Sequence, residues 1–95
     1  MLINKGPAIG DIVCIKLING DELIARFEGE ASDTISFSRP LVVLLSGNGV
    51  GMVPWMFLAD SESHTISKNQ MFTVTPAKED AAKRYMEGTT GIALR

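Results

Sequence analysis

Hydrophobic and polar positions alternate most cleanly between Ile12 and Phe37. Val13, Ile15 and Leu17 point one way along a first run, and Leu23, Ala25 and Phe27 alternate with Ile24, Arg26 and Glu28 along a second. A period of two marks strands with one buried face. Asn19-Gly20 lies between the runs. This dipeptide is the strongest short-range hairpin signal, because a type I′ turn needs φ > 0 at both central positions. Gly29 then interrupts the second run, as a bulge or sharp bend does. The pattern predicts strands over residues 11–18 and 21–30, with Ala31-Ser32-Asp33 as the turn that follows.

Residues 34–45 carry a third strand. Pro40 marks a break, a bend or an edge position within it, since proline cannot donate to a ladder. Leu41 to Leu45 is apolar on both faces, and Ser46-Gly47-Asn48-Gly49 forms the next turn. A fourth strand is predicted over residues 50–59, with Pro54 arguing for an edge or a bulge. No charged residue occurs there, and an exposed edge so apolar would aggregate. The simplest resolution is that another chain covers it. After a polar loop, residues 64–68 and 71–75 read as two extended pieces joined by Asn69-Gln70. Thr75 reads as an N-cap with Pro76 at the first helical position, opening a helix that ends at Gly88. Glu79 and Asp80 favour its N-terminal dipole, and they pair at i,i+4 with Lys83 and Arg84. Ala81, Ala82, Tyr85 and Met86 make its apolar stripe. The fold class is therefore all-β: five short strands, tight turns and one C-terminal helix fit a small barrel or a strongly bent sheet. It is one domain over residues 1–95, with an extended lead (1–11), the barrel (12–75), the helix (76–88) and a tail (89–95) that holds Ile92 and Leu94.

Apolar residues make up 45% of the chain, more than a small monomer easily hides, which again points to a covering partner. Nine basic residues stand against eleven acidic ones, so there is no global push towards nucleic acid. Cys14 is alone, which excludes an intramolecular disulfide and a cysteine-based metal site, and a reduced, cytoplasmic setting is the default. The N-terminus lacks the apolar core of a signal peptide. No run approaches the roughly 18 apolar residues of a transmembrane helix.

The chemistry-bearing residues do not assemble into a catalytic constellation. Gly47, Gly49 and Gly51 sit between strands, whereas a phosphate loop needs a helix N-terminus after it. His64 has no visible nucleophile or co-ligand and reads as a loop-edge histidine. Cys14 reads as a small half-buried strand residue. Asp21-Glu22 flank a turn, and Glu28 and Glu30 share a solvated strand face. Trp55 and Phe57 could stack on bases, but with no lysine or arginine interleaved they read as core or subunit interface. The expectation is a protein that is not an enzyme and takes no cofactor or metal.

The first hairpin resembles the first signature of the Sm-like family: Val13, Ile15, Leu17, Asn19, Gly20, Ala25, Phe27 and Gly29 fall on its pattern. Residues 66–76 stand where the second signature runs, with Ser67-Lys68 in place of the usual Arg-Gly. Together the two segments span about a third to two-fifths of the chain. A compact member of this kind most resembles the Sm-like proteins of marine cyanophages. The resemblance implies an SH3-like roll whose fourth and fifth strands pair with neighbours to close a homo-oligomeric ring of five to seven subunits. The interface would set Met52, Val53, Trp55, Met56 and Phe57 against Met71, Phe72 and Val74 of the next subunit. For many members it also implies single-stranded RNA, held at the loop after strand two and the loop before strand five. Those positions here are Thr34, Ser67, Lys68 and Asn69. A lysine and an asparagine repeated once per subunit would multiply a weak contact. Where the family usually carries an Asp and a base-contacting Asn, this chain has Ala31-Ser32-Asp33-Thr34-Ile35. That departure leaves a second reading open, a protein-interaction ring of phage origin without an RNA pocket. In either case the expected setting is the cytoplasm, the host's if phage-encoded.

Overall fold

The computed structural model describes residues 6–89. The expected lead before residue 6 and the expected tail from residue 90 onward lie outside the described residues. Among the described residues, six strands and one helix follow in order: β1 (Ile12–Leu17), β2 (Glu22–Glu30), β3 (Thr34–Ser46), β4 (Gly49–Pro54), β5 (Ser63–Ser67), β6 (Met71–Pro76) and α1 (Glu79–Thr89). A three-residue 3-10 turn, Lys68–Gln70, joins β5 to β6. All pairings are antiparallel, and the strand order is β4-β3-β2-β1-β6 with β5 also on β3. No helix among the described residues is long and apolar enough to cross a membrane.

The β1–β2 hairpin forms as the alternation requires, but its turn differs from the expected type I′. Only Gly20 takes a positive φ, 101°, and Asn19 does not. The Gly20 amide donates to the Leu17 carbonyl (3.0 Å) and the Leu17 amide to the Asp21 carbonyl (2.9 Å). That is a three-residue loop closed by a left-handed glycine. The Asn19 side chain steadies it by accepting from the Asp21 amide at 2.9 Å. Gly29, with φ 140°, lies at a register shift against β3, the bulge that its sequence position suggested.

β3 bends by a second bulge. Ile24 pairs with Leu41 and Arg26 with Ser38, so β3 spends one residue more than β2 over this stretch. The extra length falls at Arg39-Pro40, where Arg39 has φ 51°. Proline has no amide to lose there. The bend lets one strand serve two partners: residues Thr34 to Ser38 pair with β5 and Leu41 to Ser46 with β4. The expected fourth strand over residues 50–59 is thus cut short, and the expected extended piece over residues 64–68 is β5. β4 stops at Pro54, and residues 55–62 form a connector without regular pairing. The Trp55 amide leaves the ladder to donate to the Pro40 carbonyl at 3.1 Å.

Apolar side chains cover both faces of the β1–β2 pair. Val13, Ile15, Leu17, Leu23, Ala25, Phe27, Ile35 and Phe37 fill the inside of the bend, with Trp55, Ile66, Met71 and Val74 packed against them. Ile12 and Ile24 point outward and are buried by Tyr85 of α1, beside Leu41, Val43, Met52, Ala81 and Ala82. The helix therefore packs on the back of its own barrel. It starts at Glu79 and not at Pro76, because pairing with β1 holds Thr75 opposite Cys14 and Pro76 opposite Val13. Gly88 lies inside it, and Thr89 is its last described residue. Neither expected i,i+4 couple is an ion pair among the described residues; the Arg84 guanidinium donates instead to the Val50 carbonyl at 2.6 Å.

Candidate nucleic-acid interface

Two turns meet at one end of the bent sheet. The first links β2 to β3 and is closed by the Ala31 amide donating to the Thr34 carbonyl (2.9 Å). The second is the 3-10 turn between β5 and β6. Because β5 runs alongside β3, Thr34 stands opposite Ser67, and the Lys68 amide donates to the Asp33 carbonyl at 2.8 Å. The structure thus brings Thr34, Ser67, Lys68 and Asn69 into one cluster, as the sequence reading grouped them.

The details bear on what the cluster can bind. Ser67 is the N-cap of the turn: its hydroxyl accepts from the Asn69 amide (3.4 Å) and donates to Asn69 Oδ1 (2.9 Å). Gln70 Nε2 donates to the same oxygen at 3.2 Å. The Asn69 side chain is therefore held by its own turn. Lys68 Nζ pairs with Glu30 Oε2 at 3.2 Å. The turns carry one lysine against two carboxylates, Glu30 and Asp33. A phosphate approaching Lys68 must compete with Glu30. Nothing at the sequence level flagged this pairing, since the two residues lie in separate turns of the chain.

The eight residues expected at a subunit interface separate into two groups. Met52 packs under α1. Val53 is half-buried opposite Val42. Trp55, Met71 and Val74 pack against the chain's own inner core. Met56, Phe57 and Phe72 are exposed, at 51%, 75% and 72%. Phe72 is the extra residue of a bulge, since Lys16 pairs with Thr73 and Leu17 with Met71. The bulge turns its ring outward from a strand that has no partner on its far side. Leu58, which is not among those eight, is the most exposed large apolar residue described. His64 is no loop-edge residue: it lies on β5 in an aromatic trio, 5.8 Å from Trp55 and 6.2 Å from Phe37 between ring centroids.

Two further groups bear on chemistry. Burial pushes the Cys14 thiol above its ordinary pKa, and the neighbouring Glu22 carboxylate adds to the rise. A nucleophilic cysteine needs the opposite shift. Arg39, with no sequence signal for its left-handed backbone, is a junction. Its Nε donates to Glu62 Oε1 (2.9 Å), its Nη1 to the Thr89 carbonyl (2.9 Å) and its amide to the Glu62 carbonyl (2.7 Å).

A bent antiparallel sheet with two unpaired edges, an inner loop cluster and a helix on its back is an Sm-like fold. No protein-family model matches the chain, and no curated protein matches it. Among solved structures it is similar to a heptameric archaeal Sm protein, with a TM-score of 0.52 over 74% of this chain and 90% of that one. The two are 11% identical, so the likeness is one of fold.

Proposed function

We propose that the chain assembles into a homo-oligomeric ring of five to seven copies. The unpaired edge of β6 adds to the unpaired β4–β5 edge of the next copy, and Met56 and Phe57 face Phe72 across the junction. One observation carries this reading: the sheet ends in two open edges, each bearing exposed aromatic or aliphatic side chains. A lone domain with such edges is an aggregation hazard. A head-to-tail contact that closes on itself removes both edges at once. The heptameric assembly of the archaeal neighbour supports the same arrangement. The ring has no catalytic role in this reading. Its inner turns, with Thr34, Ser67, Lys68 and Asn69 repeated in every copy, hold single-stranded RNA with modest affinity.

A second reading is favoured by the Lys68–Glu30 pair: the same ring serves as a protein-interaction scaffold with no RNA in its centre. The resemblance to cyanophage Sm-like proteins adds a phage origin and a host-cytoplasm setting to either version. The native mass of the purified protein, read with the 260/280 nm absorbance ratio of the same peak, tests the proposal. A closed oligomer is expected, and a monomer at micromolar concentration overturns the ring. Excess 260 nm absorbance, or binding of oligo-U at low salt, supports RNA; neither leaves the scaffold.

A further inference from the structure

Helix α1 leaves part of the sheet's outer face bare. Its Tyr85 covers Ile12 and Ile24, but β3 and β4 run on past the start of β2. Leu23 pairs with Val42, and β2 begins one residue earlier, at Glu22. Leu45 and its partner Val50 therefore overhang, 80% and 40% exposed. Val43 and Met52 pair on the same face, two residues further in. A groove of 400 Å³ lies between this overhang and the start of α1. Val43, Leu45, Val50, Met52 and Ala81 give it apolar walls, and Cys14, Glu22 and Lys78 supply polar groups. The volume is more than twice the ~150 Å³ of an apolar cavity that takes benzene. It falls in the range of roughly 300–1,000 Å³ of small-molecule sites, which are mostly apolar with a few placed polar groups.

The two charged groups of the groove differ in their surroundings. Glu22 stands opposite Lys16 on β1 and is hydrogen-bonded to the Cys14 thiol. Lys78 is exposed and makes no ion pair among the described residues, with Glu79 and Asp80 beside it included. A ligand with an apolar chain and an anionic head matches this arrangement. The chain covers the overhang, and the head meets the open ammonium. A cationic head would meet Lys78 with like charge and find Glu22 already partnered. We propose that the groove binds a medium-chain aliphatic carboxylate, with its hydrocarbon along Val43, Leu45, Val50 and Met52 and its carboxylate on Lys78. The site shares no residue with Met56, Phe57 and Phe72 or with the turns at Thr34 and Lys68. In the ring reading β4 joins the next copy through its edge, whereas the groove uses its face, so ligand binding is independent of assembly and of RNA.

Titration of the full chain, carrying labelled Leu, Val and Met methyls, with decanoate below its micellar concentration tests this. Saturable shifts of the Leu45, Val50 and Met52 methyls are expected. Cys14 is the chain's single cysteine and lines the groove, so saturating decanoate should slow its alkylation by N-ethylmaleimide severalfold. Lys78→Ala removes an exposed charge and should weaken decanoate about threefold, the scale of a solvent-exposed ion contact, while binding of decan-1-ol stays the same. Leu45→Ser, at an exposed position that the fold does not depend on, should weaken both ligands. Methyls that do not shift, or shifts confined to Met56, overturn the site. Decanol bound as tightly as decanoate, or a Lys78→Ala variant that binds decanoate like the wild type, overturns the carboxylate assignment.

Discussion

Arg39 holds a backbone conformation that costs an ordinary residue about 1–2 kcal/mol, and four hydrogen bonds converge on it to offset that cost. Three of them leave its amide and guanidinium, and the fourth arrives at its carbonyl from Tyr85. Arg39→Gly and Arg39→Ala both delete the guanidinium contacts, but only glycine relieves φ 51°. Arg39→Gly should therefore be more stable than Arg39→Ala by about 1 kcal/mol in urea denaturation; equal stabilities would mean that the position carries no strain. Tyr85 is the other half of the junction. It is 1% exposed, and its hydroxyl proton is shared between the carbonyls of Ser38 (3.2 Å) and Arg39 (2.8 Å). Burial pushes its pKa up to about 12 from an ordinary 10, against the opposing charges of Arg26 and Arg39. The folded state keeps this proton where the unfolded chain releases it. The contribution is complete below pH 10 and drains away as pH rises through 12. Tyr85→Phe should cost about 1–2 kcal/mol at pH 7. Between pH 10 and 12 the wild type should lose its advantage over that variant; a constant difference across this range would refute the assignment. Lys68 and Glu30 form a partly exposed pair of the kind worth about 0–1 kcal/mol. Glu30→Gln should hardly change stability yet tighten binding of oligo-U. Lys68→Ala should weaken that binding and flatten its salt dependence. Titrations in which neither variant moves favour the scaffold.

At the scale of elements, the first hairpin and its inner face were legible because strand alternation is a local property: Val13, Ile15, Leu17, Leu23, Ala25 and Phe27 all lie in the core as read. Where the chain departs from its pattern, a distant partner decides. Thr75-Pro76 has the chemistry of a helix start, but β1 takes both residues into the sheet, a tertiary override of local preference. Residues 55–59 look like the rest of an apolar strand. Past Pro54, however, the ladder has no partner to continue on, because the first half of β3 is already occupied by β5. The grouping of Thr34 with Ser67 and Lys68 was readable through the family resemblance, whereas the Glu30 contact depends on where two turns meet in space. In the connector Trp55 packs on the inner core, whereas Met56, Phe57 and Leu58 are exposed apolar surface that adds little to it. In the ring reading, Phe57→Asp should therefore dissolve the assembly in native mass measurements while the melting temperature of the monomeric unit changes little. An oligomer that survives the substitution would remove this connector from the interface.

For the molecule as a whole, the sheet order sets when its open edges become available. β1, β2, β3 and β4 each pair with the strand that precedes or follows them, so these hairpins close over short loops. β6 is different: Ile15 must find Val74, across most of the chain. Loop closure of that length is entropically slower to achieve, so docking of β6 is expected to be the late step in folding, measurable as low φ-values for Val74 beside high ones for Leu23. Until β6 docks, β1 lies bare, and a strand from another copy could take its place. The same event covers β1 and creates the edge to which a neighbour would add. In the ring reading, a chain gains its second attachment point only on completing its fold, so unfinished copies act as chain terminators and the order of folding proofreads the assembly.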